Sequence, residues 1–169
     1  VEPCIVCGKC DACRHGDYGY CEHISFTYRN GDGAMADYVV VKAPYVYELP
    51  EYLTYETGAL IEPLSVATHA VRRAQVALGE TVLIIGAGAI GMMVAAMCRR
   101  SGAAQVIIAD FSDSRLEMAL QVGATIAINS GRADLEQEVA RLTGGKGVDK
   151  SFECVGRESC FLQAIMTLR

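Results

Sequence analysis

The sequence predicts an α/β chain in which a doubly wound parallel sheet, incomplete at its end, follows part of a smaller β-rich unit. Three observations carry that expectation. Beyond residue 80, short apolar runs alternate with amphipathic stretches of helical length. A glycine-rich turn, Gly86 to Gly91, joins the first such run to the first such stretch. Five of the eight cysteines crowd into the first 21 residues, and all eight tyrosines lie at or before Tyr55. Two units are therefore expected, residues 1–65 and 66–169.

The first unit opens with the cysteine-rich stretch 4–21. Ala34 to Val41, rich in β-branched residues, reads as a β-strand after a turn at Asn30-Gly31-Asp32-Gly33. Tyr45 to Leu49 reads as a short extended piece ended by Pro50. Thr54 is placed to cap a helix from Tyr55, with Glu56 in its favourable first turn. Pro63 interrupts that pattern and leaves Glu62 at an irregular position. Helical spacing resumes through Val66, Ala70, Val71 and Ala74.

The second unit is regular. Val82 to Ile85 is wholly apolar, as a parallel strand buried on both faces should be. A helix is expected over Ile90 to Arg100, a strand over Val106 to Ala109, and a helix capped by Ser112 and stopped at Gly123. A strand at Ile126 to Ile128, a helix at Asp134 to Leu142, a strand at Val148 to Glu153 and a helix from Ser159 complete the alternation. The uncharged run Thr81 to Cys98 is at the lower length limit for a membrane span, and three glycines break it.

Of 169 residues, 51% are apolar and 21% charged, with a net charge of -5. Such a chain can bury a core and repels phosphate backbones, so neither disorder nor nucleic-acid binding is expected. Neither a signal peptide nor a membrane segment is expected, and the setting is expected to be cytoplasmic. Both ends read as cut from a longer protein.

Cys7, Cys10, Cys13 and Cys21 have the spacing C-x2-C-x2-C-x7-C. Thiols this close in one loop suit a single tetrahedral Zn²⁺ better than mutual disulfides, whose geometry is restrictive. Four protein ligands leave no open position, so such a site is structural. Cys4 extends the x2 spacing backwards, but a 7-10-13-21 set closes its fourth corner from a longer loop. His15, His23 and His69 read as ordinary loop or helix histidines, and Cys98, Cys154 and Cys160 as small core residues.

Gly86-x-Gly88-x-x-Gly91 follows a strand, opens a helix, and is followed by a second strand ending in Asp110. That context fits a dinucleotide-binding turn. Gly86 turns sharply, Gly88 admits a pyrophosphate to the backbone, Gly91 packs helix on strand, and Asp110 meets the adenosine ribose.

A four-thiolate lobe, a β-rich stretch and this α/β unit, in that order, resemble the zinc-containing medium-chain alcohol and polyol dehydrogenases. The stretches CGKCDACRHGDYGYC (7–21), DGAMADYVVV (32–41), ALIEPLSVATHAVRRA (59–74), GETVLIIGAGAIG (79–91) and ADFSDSRLEMALQVGA (109–124) carry the resemblance. Glu62-Pro63-Leu64-Ser65-Val66 looks like the sorbitol (L-iditol) dehydrogenase branch. The resemblance implies a GroES-like catalytic domain followed by a Rossmann domain. It also implies a catalytic zinc approached by Glu62, and NAD contacts at Ile90, Asp110 and Arg115. The other catalytic ligands are expected upstream of Val1. The implied activity is hydride transfer between a secondary alcohol or polyol and NAD, by an enzyme that is a dimer or tetramer when whole. A threonine- or butanediol-type dehydrogenase is the alternative within the superfamily. A non-enzymatic zinc module is the alternative outside it, disfavoured by the acidic balance and the attached glycine turn.

Overall fold

The computed structural model describes residues 1–26 and 33–169. They form two compact units, Val1–Thr54 and Tyr55–Arg169. The expected boundary at 65/66 falls inside a helix of the second unit, Ile61–Ala74.

In the first unit, strand β1 (Cys4–Ile5) pairs antiparallel with β2 (Ser25–Phe26). Between them lie helix α1 (Asp11–His15) and a 3-10 turn at Tyr18–Tyr20. Gly16, left-handed at φ 84°, closes α1 by donating its N–H back to the helix. The strand expected over 34–41 does not form. No described strand lies alongside to complete its hydrogen-bond ladder, and Met35, Tyr38 and Val40 are fully or almost fully exposed. Asn30, Gly31 and Asp32 of the expected turn lie outside the described residues. Ahead of Pro50, a 3-10 turn at Ala43–Tyr45 occupies the start of the expected extended piece.

The second unit opens with helices α2 (Tyr55–Ala59) and α3 (Ile61–Ala74). Pro63 does not break the helical pattern. It sits in the first turn of α3, where a missing N–H costs no hydrogen bond. Glu62 is accordingly a first-turn helical residue and not an irregular one. Then strand and helix alternate: β3 (Thr81–Ile85), α4 (Ala89–Arg100), β4 (Gln105–Asp110), α5 (Asp113–Val122), β5 (Ile126–Asn129), α6 (Leu135–Thr143), β6 (Lys150–Glu153) and α7 (Glu158–Met166). The run Thr81 to Cys98 is thus a strand, a turn and part of a helix. No described helix is long and apolar enough to cross a membrane.

All four strands of the second unit are parallel, in the order β5-β4-β3-β6. Val82 and Ile84 of β3 face α3, α4 and α5, with Val106, Ile108, Val94 and Leu116. Leu83 and Ile85 face α6 and α7, with Ile107, Leu135, Val139 and Ala164. Burial on both faces explains the uninterrupted apolar strands. Leu83, Ile84, Ile107 and Ile108 are fully buried, each favouring the fold by ~1.5–3 kcal/mol. The chain winds outward from β3 to β5 and then crosses back to β6, on the far side of β3. That reversal opens a crevice beyond the carboxyl ends of β3 and β6.

Candidate functional site

The first cluster is built by the local backbone of residues 7–21. Gly8, at φ +70°, lets the chain double back after Cys7, and Cys10 stands at the N-cap of α1. Cys13 lies within α1, and Cys21 follows the 3-10 turn; both are buried. The four Sγ atoms of Cys7, Cys10, Cys13 and Cys21 all lie within 4.8 Å of one another. Cys7 and Cys13 are 3.9 Å apart at sulfur, against about 3.8 Å for two thiolates on one tetrahedral zinc. All eight cysteines are free.

Backbone N–H groups point at the sulfurs. Cys10 N–H donates to Cys7 Sγ and Cys7 N–H to Cys21 Sγ, each at 3.4 Å. Such donors, first those of Lys9 and Cys10, lower Cys7 to a pKa of about 6. Desolvation instead pushes Cys13 up to about 12. Crowded, partly desolvated thiols share too little positive charge to ionise together, and a divalent cation corrects that. The donor set fits zinc. Cys4 lies on β1, outside the cluster, with its thiol pushed up by burial. His15 Nδ1 is 2.8 Å from the Asp11 carbonyl oxygen, and His23 is exposed.

The second site lies in the crevice of the parallel sheet, a cavity of about 660 Å³. Gly86, Gly88, Asp110 and Arg115, separated by up to 29 positions in the chain, line it together. Gly88 caps α4 with an extended backbone and no side-chain cap, so the first N–H groups of α4 are left for a ligand. A Cβ on Gly88 would meet nothing within 4 Å, whereas one on Gly91 would lie 1.8 Å from the Gly86 carbonyl oxygen. The cradle is open at Gly88 and closed at Gly91, as the fit of a pyrophosphate requires. Asp110 Oδ2 accepts the Ala87 N–H at 2.8 Å, and Oδ1 accepts the Ser112 N–H at 2.9 Å. Its carboxylate is locked beside the turn with acceptor capacity to spare. Ile90 is half-buried against the α4 face of the core and is not among the cavity residues.

Several lining residues escaped the sequence reading. Phe111, Ser130, Val155, Arg157 and Gln163 belong to the wall. Only a count of residues past each strand end could have flagged them. Cys154 and Cys160, read as core residues, pack against the core and also line the cavity. Burial pushes the Cys154 thiol up to about 11. Cys98 is wholly buried, as expected, and burial raises it to about 12.

Glu62 stands elsewhere. It is exposed in the first turn of α3, and among the described residues it joins no group of metal-ligating side chains. His69, on the same helix, is exposed as well.

A doubly wound sheet with a glycine turn at its switch point and a four-cysteine lobe thus occur on one chain. The chain belongs to the zinc-binding dehydrogenase family. Residues 89–169 match the zinc-binding dehydrogenase model and residues 1–51 the alcohol dehydrogenase GroES-like domain. Sorbitol dehydrogenase of Bacillus subtilis is 36% identical over the whole chain, which covers 48% of that protein. L-threonine 3-dehydrogenase of Pyrococcus abyssi is 39% identical over 99% of the chain and 48% of its own length. A solved protein of Sinorhizobium meliloti, described as a zinc-binding dehydrogenase bound to NADP, superposes with a TM-score of 0.92. It is 30% identical, over 99% of this chain and 49% of its own. The chain spans about half the length of the relatives it matches.

Proposed function

We propose that this chain contributes the structural zinc lobe and the dinucleotide-binding half of an oxidoreductase. The whole protein would transfer a hydride between a secondary alcohol or polyol and NAD. The observation that carries the reading is the cavity in which Gly86, Gly88, Asp110 and Arg115 converge at the sheet's switch point. The similarity to sorbitol dehydrogenase supports the polyol class, and that to threonine dehydrogenase keeps an amino-alcohol substrate as the alternative. A cytoplasmic setting suits four reduced thiols. A dimer or tetramer is part of the same reading.

In this reading Cys7, Cys10, Cys13 and Cys21 hold a structural zinc that braces the lobe. The bound nicotinamide supplies the hydride acceptor. The turn Gly86–Gly91 receives the pyrophosphate on the free N–H groups of α4, and Asp110 orients the ribose. Glu62 belongs to the catalytic metal site of the whole protein. Titration of the protein with NADH, followed by nicotinamide fluorescence, tests the central point. Saturable binding that weakens in Asp110→Ala is expected, and absence of binding to the unaltered protein defeats the reading.

A further inference from the structure

We infer that Glu153 is a positioning residue for the dinucleotide cavity, fixing the turn after β6 that forms the wall behind Gly86; this rests on the dinucleotide function proposed above. Glu153 ends β6 in register with Ile85, the residue just before the glycine turn. Its carboxylate folds back over the chain that follows. Oε1 accepts the N–H groups of Val155 at 2.7 Å and Gly156 at 2.9 Å, and Oε2 accepts Gly156 again at 3.1 Å. One side chain therefore satisfies both backbone donors of a turn that passes through a left-handed Gly156, φ +83°.

That turn presses on the glycine turn. A Cβ added to Gly86 would lie 2.8 Å from Val155 Cγ2 and 3.1 Å from the Cys154 carbonyl oxygen. The Cys154 N–H also donates to the Ile85 carbonyl at 2.9 Å. Gly86 is held from the other side by its own N–H bond to Ala109, at 2.7 Å. The position of the pyrophosphate turn is thus set between β4 and the segment Cys154–Val155. Two residues further, Arg157 enters the same cavity as the N-cap of α7. Releasing the two N–H groups from Glu153 frees the support of Gly86 and the approach of Arg157 together, without touching any ligand.

The test is the Kd for NADH in the protein, with the cooperative urea unfolding transition measured alongside as a folding control. Glu153→Ala is expected to raise Kd about tenfold, equivalent to ~1.4 kcal/mol, with the unfolding transition retained. Glu153→Gln keeps one amide oxygen able to accept from both Val155 and Gly156, and should stay within about twofold of the unaltered protein. Gly156→Ala strains the same turn through its left-handed φ of +83°, with no clash at the added Cβ and no change to the carboxylate; it should weaken NADH as Glu153→Ala does. If Glu153→Ala loses the unfolding transition, the contrast of Glu153→Gln with Gly156→Ala decides. Unchanged affinity in both alanine variants overturns the inference, and so does equal loss in Glu153→Gln and Glu153→Ala. Failure of the unaltered protein to bind NADH instead defeats the dinucleotide reading itself, so the two failures are distinguishable.

Discussion

Gly88 and Gly91, three residues apart in one motif, do different physical work. At Gly91 an added methyl would collide with a backbone oxygen 1.8 Å away, which no rotamer relieves. Gly91→Ala should therefore cost ~3 kcal/mol or more of stability, the upper end for overpacking. At Gly88 the backbone is extended, φ -75° and ψ -174°, and the space above it is open. Gly88→Ala should leave stability within ~0.5 kcal/mol yet weaken NADH, because the methyl occupies the approach to the helix N-terminus. Urea unfolding and NADH titration of both variants separate these effects; equal destabilisation by the two would refute the distinction. Asp110 adds selectivity. A 2′-phosphate about 4 Å from its carboxylate meets roughly 1–4 kcal/mol of repulsion per charge, so NAD should exceed NADP in kcat/KM by about tenfold or more. The NADP-bound relative makes this a real test for the whole protein, and equal kcat/KM for the two cofactors would show that Asp110 does not face the ribose.

Among the elements, those of the second unit were legible in the sequence because each carries its own punctuation. Ser112 and Asp134 accept N–H bonds from Arg115 and Gln137 as N-caps, and Gly123 and Gly144 end the helices they follow. Apolar strands buried on both faces and helices with one apolar stripe leave little room for another register. The segment 34–41 departs from its expected strand for the opposite reason: β-branched composition makes a strand only where another strand supplies the ladder, and no described one does. Pro63 departs from expectation because a proline in a first turn looks, in sequence, like a helix break. The cavity was half legible. Its glycine turn and Asp110 are local signals, whereas Arg157 and Gln163 arrive from α7 through the crossover. Asp113, at the start of α5, accepts bonds from Asn129 Nδ2 at 2.6 Å and from Arg132, tying α5 to the end of β5. The Asn129 bond first, then the Arg132 bond, lowers its pKa below the ordinary 3.8. A depressed carboxylate stabilises the fold fully above its unfolded value and loses that contribution as pH falls through the folded one. Asp113→Asn should therefore flatten the stability profile below about pH 4 and leave its slope near neutrality unchanged. Urea midpoints at pH 3, 4 and 7 would show it, and an unchanged acid limb would count against the network.

For the molecule as a whole, the zinc lobe and the proposed chemistry make separable demands. Metal analysis should find that Cys10→Ser loses most of the lobe's zinc and Cys4→Ser does not, since only Cys10 belongs to the converging set; equal loss from both would overturn the 7-10-13-21 register. Glu62 is the opposite case, a carboxylate with a proposed catalytic role and no part in that set. Its place in the first turn of α3 puts a negative charge at the positive end of a 14-residue helix, which is favourable without any ligand. Helix stabilisation alone would make Glu62→Ala a mild change, ~0.3–1 kcal/mol in unfolding, with turnover untouched. A catalytic-metal role makes a different pattern in the whole protein. There Glu62→Ala should cut kcat by about 10- to 100-fold or more, while NADH affinity and the zinc of the cysteine lobe stay as they were. Glu62→Gln divides the two readings further, because it nearly preserves the shape of the side chain but removes the charge that a cation needs. Kinetics of both variants with a polyol substrate, beside metal analysis, decide the matter. Full turnover in Glu62→Ala would assign this residue to helix stability and remove it from the chemistry.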